Sequence, residues 1–541
     1  YGIHPFDICT NNPSLWDFIK KSYVIFYIFS TLIVSNFIFS KFLKLIHSLS
    51  VKYLNFKKHL SKEAFKPSGA HFEIDKNKLS LIIGKDESGN LVSLPESGLY
   101  QNFLITGTIG SGKTSSAMYP FTNQLMKYNS KHKDNKIGML ILDVKGNYHK
   151  QVCDYAKKYG LTDDVIIIGL DSNICYNPLH KPNLKPQVLA NRLKTILLLF
   201  SENNSESYWL DKAEEVLAEF IKLCRIYNDG YVTFAELHKL VTISGYYKEK
   251  IPKLRELFIS NKLSQSEIYE LNACLDFIRN DFESLDPRTK SILVSEISRI
   301  THTFVSDYDI IRTFSSPKEN LTFDGFSEVL RSGKIVILNL NISEYSSLSK
   351  IIAAYLKLDF QSEVMFNLSH NLCRTSCFIC DEYDKYATKT DGDFFSLSRE
   401  AKCINIVSTQ SYSSLKSTLK EEAFVKVITQ NLINKIWFRT DDTYTIEEAQ
   451  KQIGKMDKER ISKSISESAK ETKFSYIMNT LNSRDSNISE TYSTYLQNDF
   501  VYDTNFFTQE LETFTSLAFL SDGKKIFKPQ KLKMLPYFLE F

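Results

Sequence analysis

A glycine-rich run at residues 107–114 carries the clearest chemistry in the sequence. It reads GTIGSGKT and fits the pattern GxxxxGK[ST], in which backbone amides bind phosphate oxygens. In this pattern the lysine meets the β and γ phosphates, and the last hydroxyl binds Mg²⁺. The alternative is a glycine turn without a ligand. The sequence therefore predicts a nucleotide site with the ligands Gly107, Thr108, Gly110, Ser111, Gly112, Lys113, Thr114 and Ser115.

Hydrolysis of a nucleotide also needs a carboxylate for the metal and a group that activates water. Asp143 follows the apolar run MLIL, and Asp381 follows the run CFIC. Only Asp381 is followed by a second acid, Glu382, so this strand can supply both functions. We predict Thr114 and Asp381 as Mg²⁺ ligands and Glu382 as the general base, although acidic residues at strand ends are also common turn formers.

Three further polar residues are candidates for catalysis. Gln410 ends the apolar strand INIVSTQ, where its amide could sense the γ phosphate. Arg399, on a predicted helix, could stabilise transferred charge, in its own subunit or in a neighbouring one. Arg439 is the rival for that role. The alternatives are a surface glutamine and solvent-exposed arginines.

The elements that must position these residues alternate between strand and helix. The buried run Asn102–Thr106 precedes the loop, and a helix is predicted over Ser115–Tyr128. The further strand-like runs are 138–142, 164–168, 334–340, 376–380, 404–408 and 435–438, and such alternation favours a parallel α/β sheet. Residues 186–322 have helical periodicity and form a predicted insertion. A hairpin is expected at 79–94, and Asp522-Gly523 marks another.

Composition narrows the class of protein. The 541 residues are 43% hydrophobic and 24% charged, which is typical of folded domains, and the net charge of +4 gives no global basic field. The nine cysteines lack the paired spacing of a zinc site or a disulfide framework and fit a reducing compartment. Cys377 and Cys380 lie on one predicted strand that points them to opposite faces.

The N-terminal region contains an uncharged apolar segment, Tyr23–Phe39, near the minimum length of a membrane span. More lysines follow the segment than precede it, which predicts that the rest of the chain lies in the cytoplasm. A buried core helix and a signal peptide are the alternatives. Residues 461–494 are rich in Ser and Thr and are predicted to form a mobile loop or a weakly ordered helix.

Taken together, the motifs resemble the TraG-like type IV coupling proteins, relatives of the FtsK and HerA DNA pumps. They are GTIGSGKTSSAMYP, LDVKGNYHK, YNPL, the helical insertion, CDEYDKY, STQS, FRTDDTYT and FLSDGKKIFKPQKLKMLPYF, in order along nearly the whole chain. The resemblance implies a RecA-like P-loop NTPase sheet, interrupted by an all-α insertion domain and preceded by an N-terminal transmembrane helix. It also implies ATP and Mg²⁺ as cofactors, a homohexamer, and nucleotide sites completed between subunits.

The expected organisation is a membrane anchor with a basic linker (1–66), nucleotide-binding parts at 67–185 and 323–541, and the insertion domain at 186–322. Family members usually carry two spans before the motor. Because one is visible and the first residue is tyrosine, the first span is expected to be missing from this sequence, although a one-span variant stays open.

Three functions remain open on sequence grounds. The first is a pump at the inner membrane of a bacterium that threads single-stranded DNA with its relaxase into a type IV secretion channel. The second is a receptor that docks relaxase or effector proteins and uses nucleotide as a switch. The third is an ATPase that assembles the secretion channel. The membrane anchor and the DVKG element resemble those of coupling proteins better than those of such an ATPase.

Overall fold

The computed structural model describes residues 13–63, 78–132, 135–200, 207–468 and 487–539. The chain divides into two units, Tyr1–Ser68 and Gly69–Phe541. In the first unit, helix α1 (Pro13–Glu63) contains the segment Trp16–Asn36, which by length and composition is the one candidate membrane span among the described residues. Most of the large apolar side chains that the structure describes in this segment are exposed, Phe26 among them.

The second unit is built on a sheet of eleven strands in the order β2-β1-β13-β12-β9-β3-β8-β7-β4-β6-β5. The strands are β1 (Ser80–Lys85), β2 (Leu91–Pro95), β3 (Phe103–Thr106), β4 (Gly138–Leu142), β5 (Val165–Ile168), β6 (Ile335–Leu338), β7 (Ser376–Cys380), β8 (Cys403–Thr409), β9 (Asn434–Phe438), β12 (Thr515–Phe519) and β13 (Gln530–Met534). The seven consecutive strands β9-β3-β8-β7-β4-β6-β5 are parallel to one another. The remaining strands, β2, β1, β13 and β12, pair antiparallel with their neighbours. The predicted parallel sheet and the hairpin of β1 and β2 are confirmed.

Helices cover both faces of this sheet. They are α2 (Glu96–Leu99), α3 (Tyr119–Lys127), α4 (Tyr148–Tyr159), then α5 to α11 in the insertion, α12 (Phe326–Ser332), α13 (Ile342–Ser369), α14 (Asp391–Leu397), α15 (Tyr412–Leu419), α16 (Glu422–Asn431) and α17 (Thr443–Ile453). Strand side chains alternate between two hydrophobic cores, so that Phe103 and Cys377 lie in one and Leu104 and Cys380 in the other. The prediction for the two cysteines is confirmed.

The insertion between β5 and β6 is helical, as predicted. Its helices are α5 (Pro186–Leu198), α6 (Ser207–Tyr227), α7 (Phe234–Thr242), α8 (Ile251–Ile259), α9 (Gln265–Phe277), α10 (Pro287–Thr301) and α11 (Tyr308–Phe314). The two ends of the insertion meet, because Tyr176 forms a β-bridge with Phe323. The helices share one core with a face of the sheet, so the insertion and the sheet stabilise each other.

The prediction for residues 461–494 is wrong where the structure describes them. Strands β10 (Lys455–Ser468) and β11 (Asn487–Phe500) pair antiparallel in a two-stranded sheet of their own. The low content of large apolar residues suggested a loop, but a two-stranded ribbon exposes both faces and needs little apolar sequence. Ser and Thr side chains, with Ile461, Tyr492 and Tyr495 between them, suit such a ribbon. The stretch 469–486 lies outside the described residues.

Candidate functional site

The P-loop connects β3 to a π-helical turn, Thr114–Met118, that continues into α3. The amide of Thr108 donates to the carbonyl oxygen of Arg439, at the end of the neighbouring strand β9, over 2.9 Å. Within the loop, Ser111 Oγ donates to the carbonyl oxygen of Thr108 over 2.8 Å. These bonds fix the loop between the ends of β3 and β9. The predicted contacts of the residues from Gly107 to Ser115 with a nucleotide stay a prediction.

Gly112 is required at its position for two reasons. Its φ of +100° is rarely adopted by residues with a side chain. A Cβ atom there would also lie 2.5 Å from Cδ1 of Phe514, so that the ring of Phe514 would have to move. The aromatic ring of Phe514 therefore lies directly against the P-loop backbone, a contact that no sequence motif indicates.

Lys113 is folded back onto its own loop. Its Nζ donates to the carbonyl oxygens of Gly107 and of Thr108, the latter over 3.1 Å. Burial lowers the pKa of Lys113, while the negative charges of Asp381 and Glu382 oppose that change. A buried ammonium group held by neutral carbonyls is well suited to bind phosphate oxygens in their place.

The predicted metal ligands meet at the start of the π-helical turn. Thr114 Oγ1 donates to Asp381 Oδ2 over 2.8 Å, and Ser408 Oγ donates to Asp381 Oδ1. Two adjacent oxygens on an octahedral Mg²⁺ ion lie about 3.0 Å apart, given metal–oxygen bonds of about 2.1 Å. The threonine hydroxyl and the carboxylate therefore fit this ion, either as direct ligands or through one of its waters.

The carboxylate of Asp143, the rival for the metal, is occupied by backbone amides. It accepts from the amides of Lys145, Asn147 and Tyr148 over 2.9–3.1 Å and so caps the start of α4. Burial raises the pKa of Asp143, and the charge of Asp381 on the adjacent strand raises it further. These bonds assign Asp143 a structural role in the loop between β4 and α4.

The predicted general base, Glu382, has a partner that no sequence motif indicates. Its carboxylate lies 3.1 Å from Lys145 Nζ, in the DVKG element. Burial lowers the pKa of Lys145, but its hydrogen bond to Glu382 and the negative charge of that residue outweigh burial, so the pKa of Lys145 is raised. The backbone of Glu382 is left-handed, with φ +52°; such strain often occurs at functional sites.

Gln410 lies beside the P-loop because β8 is the parallel neighbour of β3. Thr409 pairs with Thr106, so Gln410 follows β8 at the level where Gly107 follows β3. Its side chain is half-buried. The position agrees with the predicted contact to a γ phosphate, which stays a prediction.

The two arginines lie at opposite ends of the central parallel strands. Arg439 follows β9 next to the P-loop, and its side chain is exposed. Arg399 precedes β8, and its Nη2 donates to the carbonyl oxygen of Gly523 over 3.3 Å. The seven residues of β8 span about 20 Å, so Arg399 does not reach the P-loop of its own chain. A role for Arg399 is therefore restricted to the site of a neighbouring subunit.

Comparison with known proteins agrees with this arrangement. A family model described as the type IV secretion-system coupling protein DNA-binding domain matches residues 87–250, and the model for the TraM recognition site of TraD and TraG matches residues 376–496. Together the two models cover more than half of the chain. The chain belongs to the type IV coupling protein family. No curated protein sequence matches it.

Solved structures show the coupling protein fold in this chain. The bacterial conjugative coupling protein TrwBΔN70, in an unbound monoclinic form, is similar with a TM-score of 0.54 and 13% identity, over 86% of this chain and 89% of that one. Plasmid coupling protein TrwB with ADP and Mg²⁺ gives 0.53 and 13%, over 87% and 91%. VirB4 of Thermoanaerobacter pseudethanolicus gives 0.50 and 13%, over 87% and 99%.

Proposed function

We propose that the chain is a membrane-anchored ATPase that couples single-stranded DNA and its relaxase to a type IV secretion channel and drives their transfer. The observation that carries the proposal is the 2.8 Å hydrogen bond between Thr114 and Asp381, which joins a complete P-loop to an acidic strand end. Support for the ligands comes from similar proteins. TrwB has been solved with ADP and Mg²⁺, and one family model matched here is described as DNA-binding.

ATP binding follows from the P-loop geometry. Its amides donate to phosphate oxygens, and Lys113 exchanges its carbonyl partners for oxygens of the β and γ phosphates. Thr114 and Asp381 would hold a Mg²⁺ ion, which when bound would offset the negative charge of the phosphates. Ser408 keeps the carboxylate of Asp381 oriented by donating to its second oxygen.

Hydrolysis needs a base for the attacking water, and Glu382 has this role. Its carboxylate lies 3.1 Å from the ammonium group of Lys145, and this ion pair holds it at the end of β7. Gln410, on the strand between those of Asp381 and the P-loop, donates its amide to the water or to the γ phosphate. Exposed arginines complete the site, with Arg439 acting in its own subunit or Arg399 acting from a neighbouring one.

Helix α13 connects this site to the insertion domain through two buried charges. Lys357 Nζ lies 2.6 Å from Oδ2 of Asp391, ten residues after Asp381 along the chain. Two residues further along the helix, Asp359 pairs with Arg192 of α5 over 3.0 Å and with Lys181 over 2.7 Å. We propose that this helix transmits changes at the nucleotide site to the domain that meets the substrate.

The remaining parts of the proposal concern assembly and location. The segment Trp16–Asn36 anchors the chain in the inner membrane of a bacterium, with the motor in the cytoplasm. Six copies form a ring against the channel components, and nucleotide sites lie between subunits. The proposed insertion domain comprises residues 186–322. It interrupts a nucleotide-binding domain whose two parts are residues 67–185 and 323–541.

The proposal is tested by ATP hydrolysis of the full chain in detergent, with and without single-stranded DNA. The expected result is stimulation by DNA that is lost in Lys113→Ala and kept in Lys127→Ala, which removes an exposed lysine at the end of α3. Turnover that does not respond to DNA would contradict the pump. Hydrolysis that persists in Lys113→Ala would instead come from a contaminant.

A receptor that uses nucleotide as a switch is the second candidate. Exposed apolar side chains on the insertion domain favour it, among them Ile259 and Tyr269, which are 72% and 76% exposed. In that case the double variant Ile259→Ser/Tyr269→Ser should lose binding of a relaxase or effector while nucleotide binding is retained. Partner binding at the wild-type level would exclude these two side chains as the docking surface.

A further inference from the structure

The P-loop has different neighbours on its two sides. Strands β8 and β7, which carry Gln410, Asp381 and Glu382, lie on one side of β3, and strands β9, β12 and β13 lie on the other. The γ phosphate belongs on the side of the carboxylates, because the metal and the attacking water must be there. The rest of a bound nucleotide therefore extends past Ser115 on the other side.

On that side two aromatic residues are attached to the loop by backbone hydrogen bonds, and a third packs against both of them. The amide of Phe514 donates to the carbonyl oxygen of Ser111 over 3.2 Å, and the amide of Tyr537 donates to that of Ser115 over 2.9 Å. The ring centroid of Phe538 lies 5.9 Å from that of Phe514 and 5.5 Å from that of Tyr537. We call these three side chains the aromatic cluster.

The conformation of the cluster is costly to maintain. Phe514 has a φ of +62°, which is a true outlier for a bulky side chain. Its ring fits only because residue 112 is glycine. The outer member, Phe538, is 58% exposed although it is large and apolar. Strain of this kind concentrates at ligand sites, and an exposed aromatic face on a fixed support suits a planar ligand.

We infer that the aromatic cluster is the subsite for the nucleobase, which stacks on Phe538 while Phe514 and Tyr537 hold that ring beside the P-loop. This inference rests on the proposed function, because it assumes that the triphosphate binds at Lys113 and Thr114. Stacking uses the π face that every base has, so adenine and guanine nucleotides are bound similarly.

The test separates the base from the phosphates. Isothermal titration calorimetry of the full chain in detergent measures the Kd of Mg·ATP and of Mg·tripolyphosphate, which has no base. Phe538→Ala is expected to weaken the binding of ATP about 5- to 160-fold, in line with the loss of one base–aromatic stack, and to leave the Kd of tripolyphosphate unchanged. Phe538→Trp keeps a stacking face and restores ATP affinity. Tyr308→Ala, at another exposed aromatic, changes neither value.

Two outcomes would overturn the inference. Unchanged ATP affinity in Phe538→Ala would show that the ring does not contact the base, and an equal loss for both ligands would show that the cluster only supports the loop. Failure of the wild type to bind tripolyphosphate has a different meaning, because it overturns the proposed function itself and this subsite with it.

Discussion

A fully buried ion pair between Lys357 and Asp391 leads to a quantitative prediction for stability. Besides the carboxylate at 2.6 Å, Lys357 Nζ contacts the carbonyl oxygen of Tyr386 at 2.7 Å and Oγ1 of Thr388 at 2.9 Å, so all three of its protons are used. Tyr383 donates its hydroxyl to the same carboxylate oxygen over 2.5 Å. Burial lowers the pKa of Lys357, and the charge of Asp391 opposes that change.

We expect Lys357→Met to destabilise the folded chain by about 3–5 kcal/mol, because it leaves a buried carboxylate without its counter-charge. The double variant Lys357→Met/Asp391→Asn removes both charges, and it should be more stable than the sum of the two single changes predicts, by about 1–3 kcal/mol. The assay is thermal unfolding and urea denaturation of the full chain in detergent. Lys416→Met, at an exposed ion pair with Glu422, is the control and should leave the midpoint unchanged. Strictly additive effects of the two single substitutions would refute this reasoning.

Three further predictions concern other buried charges. Burial lowers the pKa of Lys435 to about 8, so the folded chain binds fewer protons at this side chain than the unfolded chain between about pH 8 and 10.5. Wild-type stability relative to Lys435→Met should therefore rise over that range, and a difference in urea midpoint that stays flat contradicts the prediction. Asp143→Ala removes the acceptor of three amides and should cost about 1–3 kcal/mol while the Mg²⁺ dependence of ATP binding is retained; loss of that dependence would make Asp143 the metal carboxylate. Asp381→Asn should raise the Mg²⁺ concentration for half-maximal ATP binding about 10-fold or more, and an unchanged Mg²⁺ titration would exclude it from the metal site.

The sequence was informative where chemistry depends on residues close together in the chain. The P-loop could be located because its spacing follows from how backbone amides surround a phosphate. The choice between Asp143 and Asp381 as the metal carboxylate was less firmly based, since each of them follows a buried apolar strand. The structure distinguishes their surroundings through the strand order β3-β8-β7-β4, which places Asp381 nearer to Thr114, and strand order is a long-range property.

Long-range contacts also explain the remaining differences between the predictions from sequence and the structure. The pairing of Lys145 with Glu382 joins segments more than two hundred residues apart, and the contact of Phe514 with Gly112 joins segments four hundred apart. Arg399 was recognised as a candidate, but only the direction of β8 shows that it starts at the far edge of the sheet. The ribbon of β10 and β11 was missed because a strand exposed on both faces lacks the apolar alternation by which strands are recognised.

The most direct test of the proposed chemistry is the rate of ATP hydrolysis by Glu382→Gln, measured beside its affinity for Mg·ATP. The account predicts that kcat falls about 100-fold or more, as for loss of a general base, while the Kd stays within a few-fold of the wild type. Glu447→Gln, at an exposed carboxylate on α17, serves as the control. Wild-type turnover in Glu382→Gln would contradict the account, because the base would then have to lie elsewhere.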